Sequence, residues 1–224
     1  MIGLFVCIDF DGTISKIDVT DAILTRFASP EWEEIEKLWL DGEIGSQQCL
    51  AMQMKLIKAP LPEIFEFIDS IAIDPTFFDF VKLLRAEHVG HAIVSDGFSI
   101  FINRILAKHG ISNVDIYANN FIEHQGALKT YFPFKKERCA AGNCKCATAQ
   151  KLCVQPPLVL IGDGSSDFCV AEKADVVFAK GKLAAYCKRN NIEYHQFDTF
   201  MEIFEPLMGL RLGKTKLMKG EIAI

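Results

Sequence analysis

No stretch of this 224-residue sequence stays apolar over the roughly 20 residues that a helix needs to cross a bilayer, which sets aside a helical membrane protein. A surplus of positive charge is missing too. The chain carries 24 Lys and Arg against 29 Asp and Glu, a formal net charge of −5, whereas general nucleic-acid binders need a basic face to neutralise phosphates. The N-terminal run from Met1 to Ile8 is apolar, but it has no basic residue and leads straight into acidic ones. It reads as a buried strand rather than a signal peptide, and the cytoplasm is the expected compartment. Internal repeats and low-complexity segments are absent, and the five histidines are scattered without ligand spacing. Among the eight cysteines no paired C-x2-C step occurs. Cys7, Cys49, Cys169 and Cys187 stand singly in apolar or helical contexts, as small hydrophobes do. Cys139, Cys144, Cys146 and Cys153 follow a C-x4-C-x-C-x6-C spacing that favours free or redox-labile thiols over a structural zinc.

Half of the residues are apolar and 24% are charged, enough to bury the core of one domain with a modest insertion. Leu4 to Ile8 is a short, continuously apolar run, the signature of a strand covered on both faces. Four helices are then expected. Ser29-Pro30 caps one carrying Trp32, Ile35, Leu38 and Trp39, and Gly45-Ser46 opens a second with Leu50, Met54 and Ile57 inward. Pro62 starts a third, and Asp74-Pro75 caps a fourth with Phe77, Phe78, Val81 and Leu84. No strand intervenes, so residues 14–75 read as an inserted helical unit. From His91 strands and helices alternate, which predicts a parallel sheet with right-handed crossovers. The expected strands are His91–Val94, Val114–Ala118, Leu158–Ile161, Asp175–Phe178 and Tyr194–Phe197, with a small hairpin between Asn119 and Tyr131. The tail after Gly209 is expected to be loosely held.

Three of the buried strands end in one class of residue. Leu4–Ile8 leads into Asp9 and Asp11, Ala92–Val94 into Ser95, and Leu158–Ile161 into Asp163 and Asp167. Ligands of open parallel sheets bind beyond the carboxyl ends of the strands, where these side chains would converge. Converging carboxylates repel one another unless a cation sits among them, and hard oxygen donors suit Mg2+, which shares its shell with substrate phosphate. Residues two apart in an extended segment point the same way, so Asp9 and Asp11 can divide the labour. One can attack phosphorus, and the other can protonate the leaving oxygen and then deprotonate water. Gly12 permits a tight turn, and Thr13 offers a hydroxyl to a phosphate oxygen. Lys145 or Lys151, both ahead of the last of these strands, could neutralise the phosphate and Asp9.

Asp9-Phe10-Asp11-Gly12-Thr13, Ser95-Asp96-Gly97, a lysine and Gly162-Asp163-Gly164-Ser165-Ser166-Asp167, in that order, resemble the four motifs of the haloacid dehalogenase (HAD) superfamily. The resemblance implies an α/β fold, with a Rossmann-like core over residues 1–13 and 76–210, a helical cap of the C1 type over 14–75, a small β-hairpin and a tail over 211–224. It implies an Mg2+-dependent phosphomonoesterase that forms an aspartyl-phosphate on Asp9, with Asp11 as general acid and base. Asp9, the Asp11 carbonyl and Asp163 would hold Mg2+, and Asp167 a metal-bound water or the lysine. Thr13, Ser95, Asp96 and Gly97 would take the phosphoryl oxygens. In the similar subfamily a Cys-Lys pair opens the helix before the last of these strands, and Cys144-Lys145 matches it, which favours Lys145. Ser95-Asp96-Gly97-Phe98, Asn119-Asn120-Phe121 and Cys139…Cys144-Lys145 look like a phosphoserine-phosphatase-type branch. That branch holds the 2-hydroxy-3-keto-5-methylthiopentenyl-1-phosphate phosphatases and the phosphoethanolamine and phosphocholine phosphatases. The implied partner is a small phosphorylated metabolite, without nucleic acid or membrane, and a homodimer is left open. Phosphoserine phosphatase proper and a catalytically silent binding protein on the same scaffold are the competing readings. Asp18 and Asp21 could meet a substrate amine, although Asp18 reads rather as a helix cap. Phe98 suits the core as well as the substrate.

Overall fold

The structure, a computed structural model, describes residues 3–125, 127–154 and 157–212. Strand β1 (Phe5–Ile8) is covered on both faces because successive residues serve opposite layers: Val6 and Ile8 pack into one apolar cluster and Cys7 into another. It lies in the middle of a seven-stranded sheet. On one side stand β2 (Gly90–Phe98), β3 (Ile116–His124) and β4 (Ala127–Tyr131), and on the other β5 (Leu158–Gly162), β6 (Val176–Ala179) and β7 (His195–Gln196), giving the order β4-β3-β2-β1-β5-β6-β7. Only the β3–β4 pair is antiparallel. The chain grows outward from β1 first in one direction and then in the other, so the crevice at the carboxyl ends beside β1 is the topological switch point at which such sheets bind ligands. The register Ile8↔Ile161 sets the end of β1 level with the end of β5.

Between β1 and β2 the chain forms five helices: α1 (Val19–Phe27), α2 (Trp32–Leu40), α3 (Ser46–Gln53), α4 (Leu61–Ile68) and α5 (Phe77–Ala86). With α6 (Ser99–Lys108) and the last helix, α10 (Phe200–Arg211), α5 buries Phe77, Phe80, Phe101, Ile105, Phe200 and Ile203 in the cluster shared with Val6 and Ile8. The opposite cluster joins Cys7, Leu158 and Leu160 to Ala149 of α7 (Lys145–Leu152), Val170 of α8 (Phe168–Ala171) and Leu183 of α9 (Gly181–Arg189). Each such aliphatic side chain, taken fully out of water, contributes roughly 1.5–3 kcal/mol. None of the described helices is long and apolar enough to cross a membrane.

Three local differences from the sequence expectation have physical causes. Residues 19–27 form a helix beyond the four expected; Asp18 is its cap, as read from the sequence, accepting from the Asp21 N–H at 2.9 Å, and Ile23 and Leu24 are buried. The strand at Val114–Ala118 and the first arm of the hairpin are one strand, β3, which pairs with β2 at its start and with β4 at its end. Helix α10 runs through Gly209 to Arg211, held by the buried Phe200, Ile203 and Leu207. The tail expected beyond it lies, from residue 213, outside the described residues.

Candidate active site

The Asp9 N–H donates to Ile161 O at 2.9 Å, so the backbone still follows the sheet where this side chain projects beyond it. Asp9 Oδ1 accepts from Phe10 N at 2.7 Å and lies 2.6 Å from Lys145 Nζ. Lys145, the first residue of α7, is 2% exposed, and its ammonium also donates to Asp167 Oδ1 at 2.8 Å. Asp167 closes the 3-10 turn Ser165–Asp167 after β5, and its other oxygen accepts from Gly164 N at 3.3 Å. Buried charges persist only when paired and hydrogen-bonded, and here one lysine bridges two carboxylates. Burial pushes the Asp9 carboxyl well above the usual carboxylate range, Asp167 adds to the push, and Lys145 opposes it. Burial works against the Lys145 ammonium, but Asp167 and Asp9 outweigh it and hold its pKa above the ordinary lysine value. Lys151 is exposed, near the opposite end of α7.

Asp163, just past β5, accepts from Thr13 Oγ1 at 2.7 Å. Thr13 is fully buried, and its carbonyl accepts from Lys180 Nζ at 3.3 Å. Gly12 has φ +72°, and a Cβ there would run into the Asp163 carboxylate, so the turn that brings β1 against Asp163 requires glycine. Asp9, Asp163 and Asp167 each present an oxygen to one region, the three atoms lying within 4.8 Å of one another. Three carboxylates facing one lysine leave an excess of negative charge on hard oxygen donors, and that set fits Mg2+.

Asp11 Oδ1 accepts from Val19 N at the start of α1 at 2.8 Å, and its other oxygen lies 3.4 Å from Ser95 Oγ. Burial first, and Asp18 second, raise the Asp11 carboxyl well above the usual range. Ser95 is buried inside β2 and accepts from Gly97 N at 2.9 Å. Helix α6 opens only at Ser99, so Ser95, Asp96 and Gly97 all lie within β2, ahead of the helix. The Asp96 carboxylate is engaged by protein donors: Ser46 Oγ of α3, Asn119 Nδ2 at 2.9 Å and Asn143 N at 2.7 Å. Gly142 N donates to the same Ser46 hydroxyl at 3.1 Å. Asp96 thus ties α3, β3 and the segment before α7 together.

A cavity of about 620 Å³ extends from Asp9, Asp11 and Asp163 to a wall that includes Asp18, Asp21, Trp32, Glu36 and Trp39. Burial, with Asp18 and Glu36 nearby, pushes the Asp21 carboxyl up to about 7. Phe98 is in the core, edge-on to Phe101 and Phe121 at centroid distances of 6.1 and 5.5 Å. Ser46, Asn143, Lys180 and Glu36 belong to this region and were not singled out from the sequence. Ser46 and Asn143 are 50 and 47 positions from Asp96, a separation that carries no local signal.

A family model described as haloacid dehalogenase-like hydrolase matches residues 6–172. The chain is 29% identical over 210 residues to the 2-hydroxy-3-keto-5-methylthiopentenyl-1-phosphate phosphatase of Exiguobacterium sp. (strain AT1b), covering 91% of this chain and 97% of that one. Its identity to the protein of the same name from Bacillus cereus (strain E33L) is 30% over 213 residues, again covering 91% and 97%. Among solved structures it is similar to a phospho-aspartyl intermediate analogue of phosphoserine phosphatase, with a TM-score of 0.70 at 22% identity, covering 92% of this chain and 99% of that one. The family match runs from β1 past α8 and takes in all four motif regions, and the chain belongs to the haloacid dehalogenase-like hydrolases.

Proposed function

We propose that this hydrolase is an Mg2+-dependent phosphomonoesterase that takes the phosphoryl group of a small metabolite onto Asp9. The observation that carries this reading is the buried Asp9–Lys145–Asp167 cluster beside Asp163, at the inner end of a cavity large enough for a small metabolite. An oxygen of Asp9 attacks phosphorus, an O–P bond forms, and the ester P–O bond breaks. Asp11, whose environment favours the protonated form, gives its proton to the departing oxygen. Asp11 then takes a proton from water as that water attacks the aspartyl-phosphate, which frees inorganic phosphate and restores Asp9. Lys145 works against the burial that raises Asp9 and balances phosphoryl charge, and Asp167 holds Lys145 in place. Asp9, the Asp11 carbonyl, Asp163 and Asp167 are the proposed Mg2+ site, and the bound ion supplies neutralisation of the phosphate oxygens. Ser95 and the backbone N–H groups of Asp96 and Gly97 receive the phosphoryl group, while Thr13 acts through its hydrogen bond to Asp163.

In the same proposal residues 14–75 form the cap of a core made of 1–13 and 76–210, shutting water out of the site during turnover. The names of the relatives make 2-hydroxy-3-keto-5-methylthiopentenyl-1-phosphate the first ester to try, with phosphoserine and phosphoethanolamine beside it. The test is phosphate release from that panel and from p-nitrophenyl phosphate, with Mg2+ and with a chelator. Turnover that needs Mg2+ and favours one metabolite is expected; absence of metal-dependent turnover on every ester overturns the proposal.

A further inference from the structure

Cys144 and Cys146 flank Lys145 at the opening of α7, with their sulfurs 3.8 Å apart. Side chains two apart along a regular helix do not face each other. These two meet because Cys144 is the N-cap, with φ −73° and ψ 79° in place of helical values. Two further thiols adjoin them: Cys139 is beside Cys144, and Cys169 of α8 is beside Cys146. The spacing in the sequence had placed Cys153 in this group; the fold puts Cys153 at the other end of α7 and brings in Cys169. Among the described residues the metal-type side chains close enough to share an ion are Asp9, Asp163 and Asp167, and the thiols do not form such a group.

Cys146 has the environment of a reactive thiol. It is half-buried, and the exposed Lys173 ammonium and the Cys169 thiol lie beside its sulfur. Burial pushes this thiol up, but its neighbours Cys169, Lys173 and Cys144 outweigh it and hold the group below its ordinary value. The neighbouring Cys144, buried, is pushed up to about 11. Thiolate character and access decide which cysteine an oxidant attacks, and both select Cys146.

We propose that Cys144 and Cys146 are a peroxide-sensitive dithiol whose closure displaces Lys145 from Asp9 and Asp167. The Cys146 sulfur attacks one oxygen of a hydroperoxide, the O–O bond breaks, and water or an alcohol leaves, so that Cys146 becomes a sulfenic acid. The Cys144 sulfur then attacks that sulfur, the S–O bond breaks, and the hydroxyl leaves as water with the Cys144 proton. The two thiols lose two electrons, and the peroxide gains them. Closure shortens the separation from 3.8 Å to about 2.05 Å, and the backbone that must move is that of Lys145 itself. Its ammonium works through contacts of 2.6 and 2.8 Å, and a displacement of about 1 Å at such a group costs on the order of 100-fold in rate.

The test treats the intact protein with hydrogen peroxide, alkylates the remaining thiols and maps the peptides by mass spectrometry, with p-nitrophenyl phosphate turnover in Mg2+ measured alongside. The expected result is a Cys144–Cys146 disulfide and a fall in turnover of at least about tenfold, reversed by a thiol reductant. Cys146→Ser is expected to keep basal turnover and lose the sensitivity, and Cys153→Ser to remain as sensitive as the unaltered chain. Alkylation of both thiols after peroxide, linkage of Cys146 to Cys169 instead, or a disulfide that leaves turnover unchanged overturns the proposal. A protein inactive before any oxidant is added speaks against the Asp9 chemistry and not the dithiol, which the peptide map judges independently.

Discussion

The carboxyl ends of β1 and β5 and the helices facing them line one cavity with opposite kinds of surface. Every residue of β5 is buried, and Asp9, Lys145 and Asp167 beyond the strand ends are 4%, 2% and 0% exposed, each tied to another. Helix α2, which supplies Trp32, Glu36 and Trp39 to the cavity, buries no residue at all. The first surface is a charge cluster that the surrounding core holds rigid. The second is half-exposed and is tied to α3, where Gln53 Nε2 donates to Glu36 Oε2 at 2.9 Å and to Trp32 O at 3.5 Å. The proposed division of labour follows: the strand ends carry out the reaction, and the helices choose what enters.

That contrast can be broken or sharpened by substitution. On the strand side, Asp11→Asn keeps the shape but removes the proton donor, and kcat is expected to fall by about 100- to 10,000-fold with KM little changed, in steady-state kinetics on the best ester of the panel. Lys145→Ala leaves Asp9 and Asp167 buried without their cation, and urea unfolding is expected to show a loss of about 3–5 kcal/mol. Lys151→Ala, exposed on the same helix, should stay within about 0.5 kcal/mol of the unaltered chain. Equal effects from the two lysines would end the distinction between buried cluster and surface.

The joint between the two regions gives a smaller effect with a pH signature. Asp74 N donates to Ile14 O at 2.8 Å, and the buried Asp74 carboxylate takes Lys16 Nζ at 3.0 Å and Thr76 N at 2.9 Å. Burial works to raise this carboxyl, but the Thr76 and Lys16 hydrogen bonds win and hold it below the ordinary value. A folded pKa below the unfolded one of about 3.9 means that the stabilisation is fully present above that pH and fades as pH falls through the folded value. Asp74→Asn is therefore expected to cost about 1–2 kcal/mol at pH 7 and progressively less below about pH 4, in urea melts across pH. On the helix side, Trp39→Ala should change stability by less than about 1 kcal/mol while raising KM severalfold and leaving kcat nearly intact. A loss confined to kcat would place Trp39 with the reaction centre.

What the sequence discloses follows the same line. Leu4–Ile8 and Leu158–Ile161 are apolar at successive positions because both faces are covered, and the aspartates beyond them break that pattern abruptly, so the strands and Asp9, Asp11 and Asp163 are visible in one dimension. Asp18 was legible as a helix cap, but the extent of α1 was not, because its apolar face is short, with Ile23 and Leu24 set among polar residues. The Asp96 lock was invisible because its partners lie on other elements far along the chain. Cys169 joins Cys146 only once α8 packs on α7, a relation that spacing cannot express.

The central claim is that Asp9 becomes phosphorylated. Turnover quenched within its first cycles and reduced with borohydride should convert an acyl phosphate on Asp9 to homoserine, found at position 9 by peptide mapping and only when substrate was present. An unmodified Asp9 in a protein that turns over substrate under the same conditions would contradict the account.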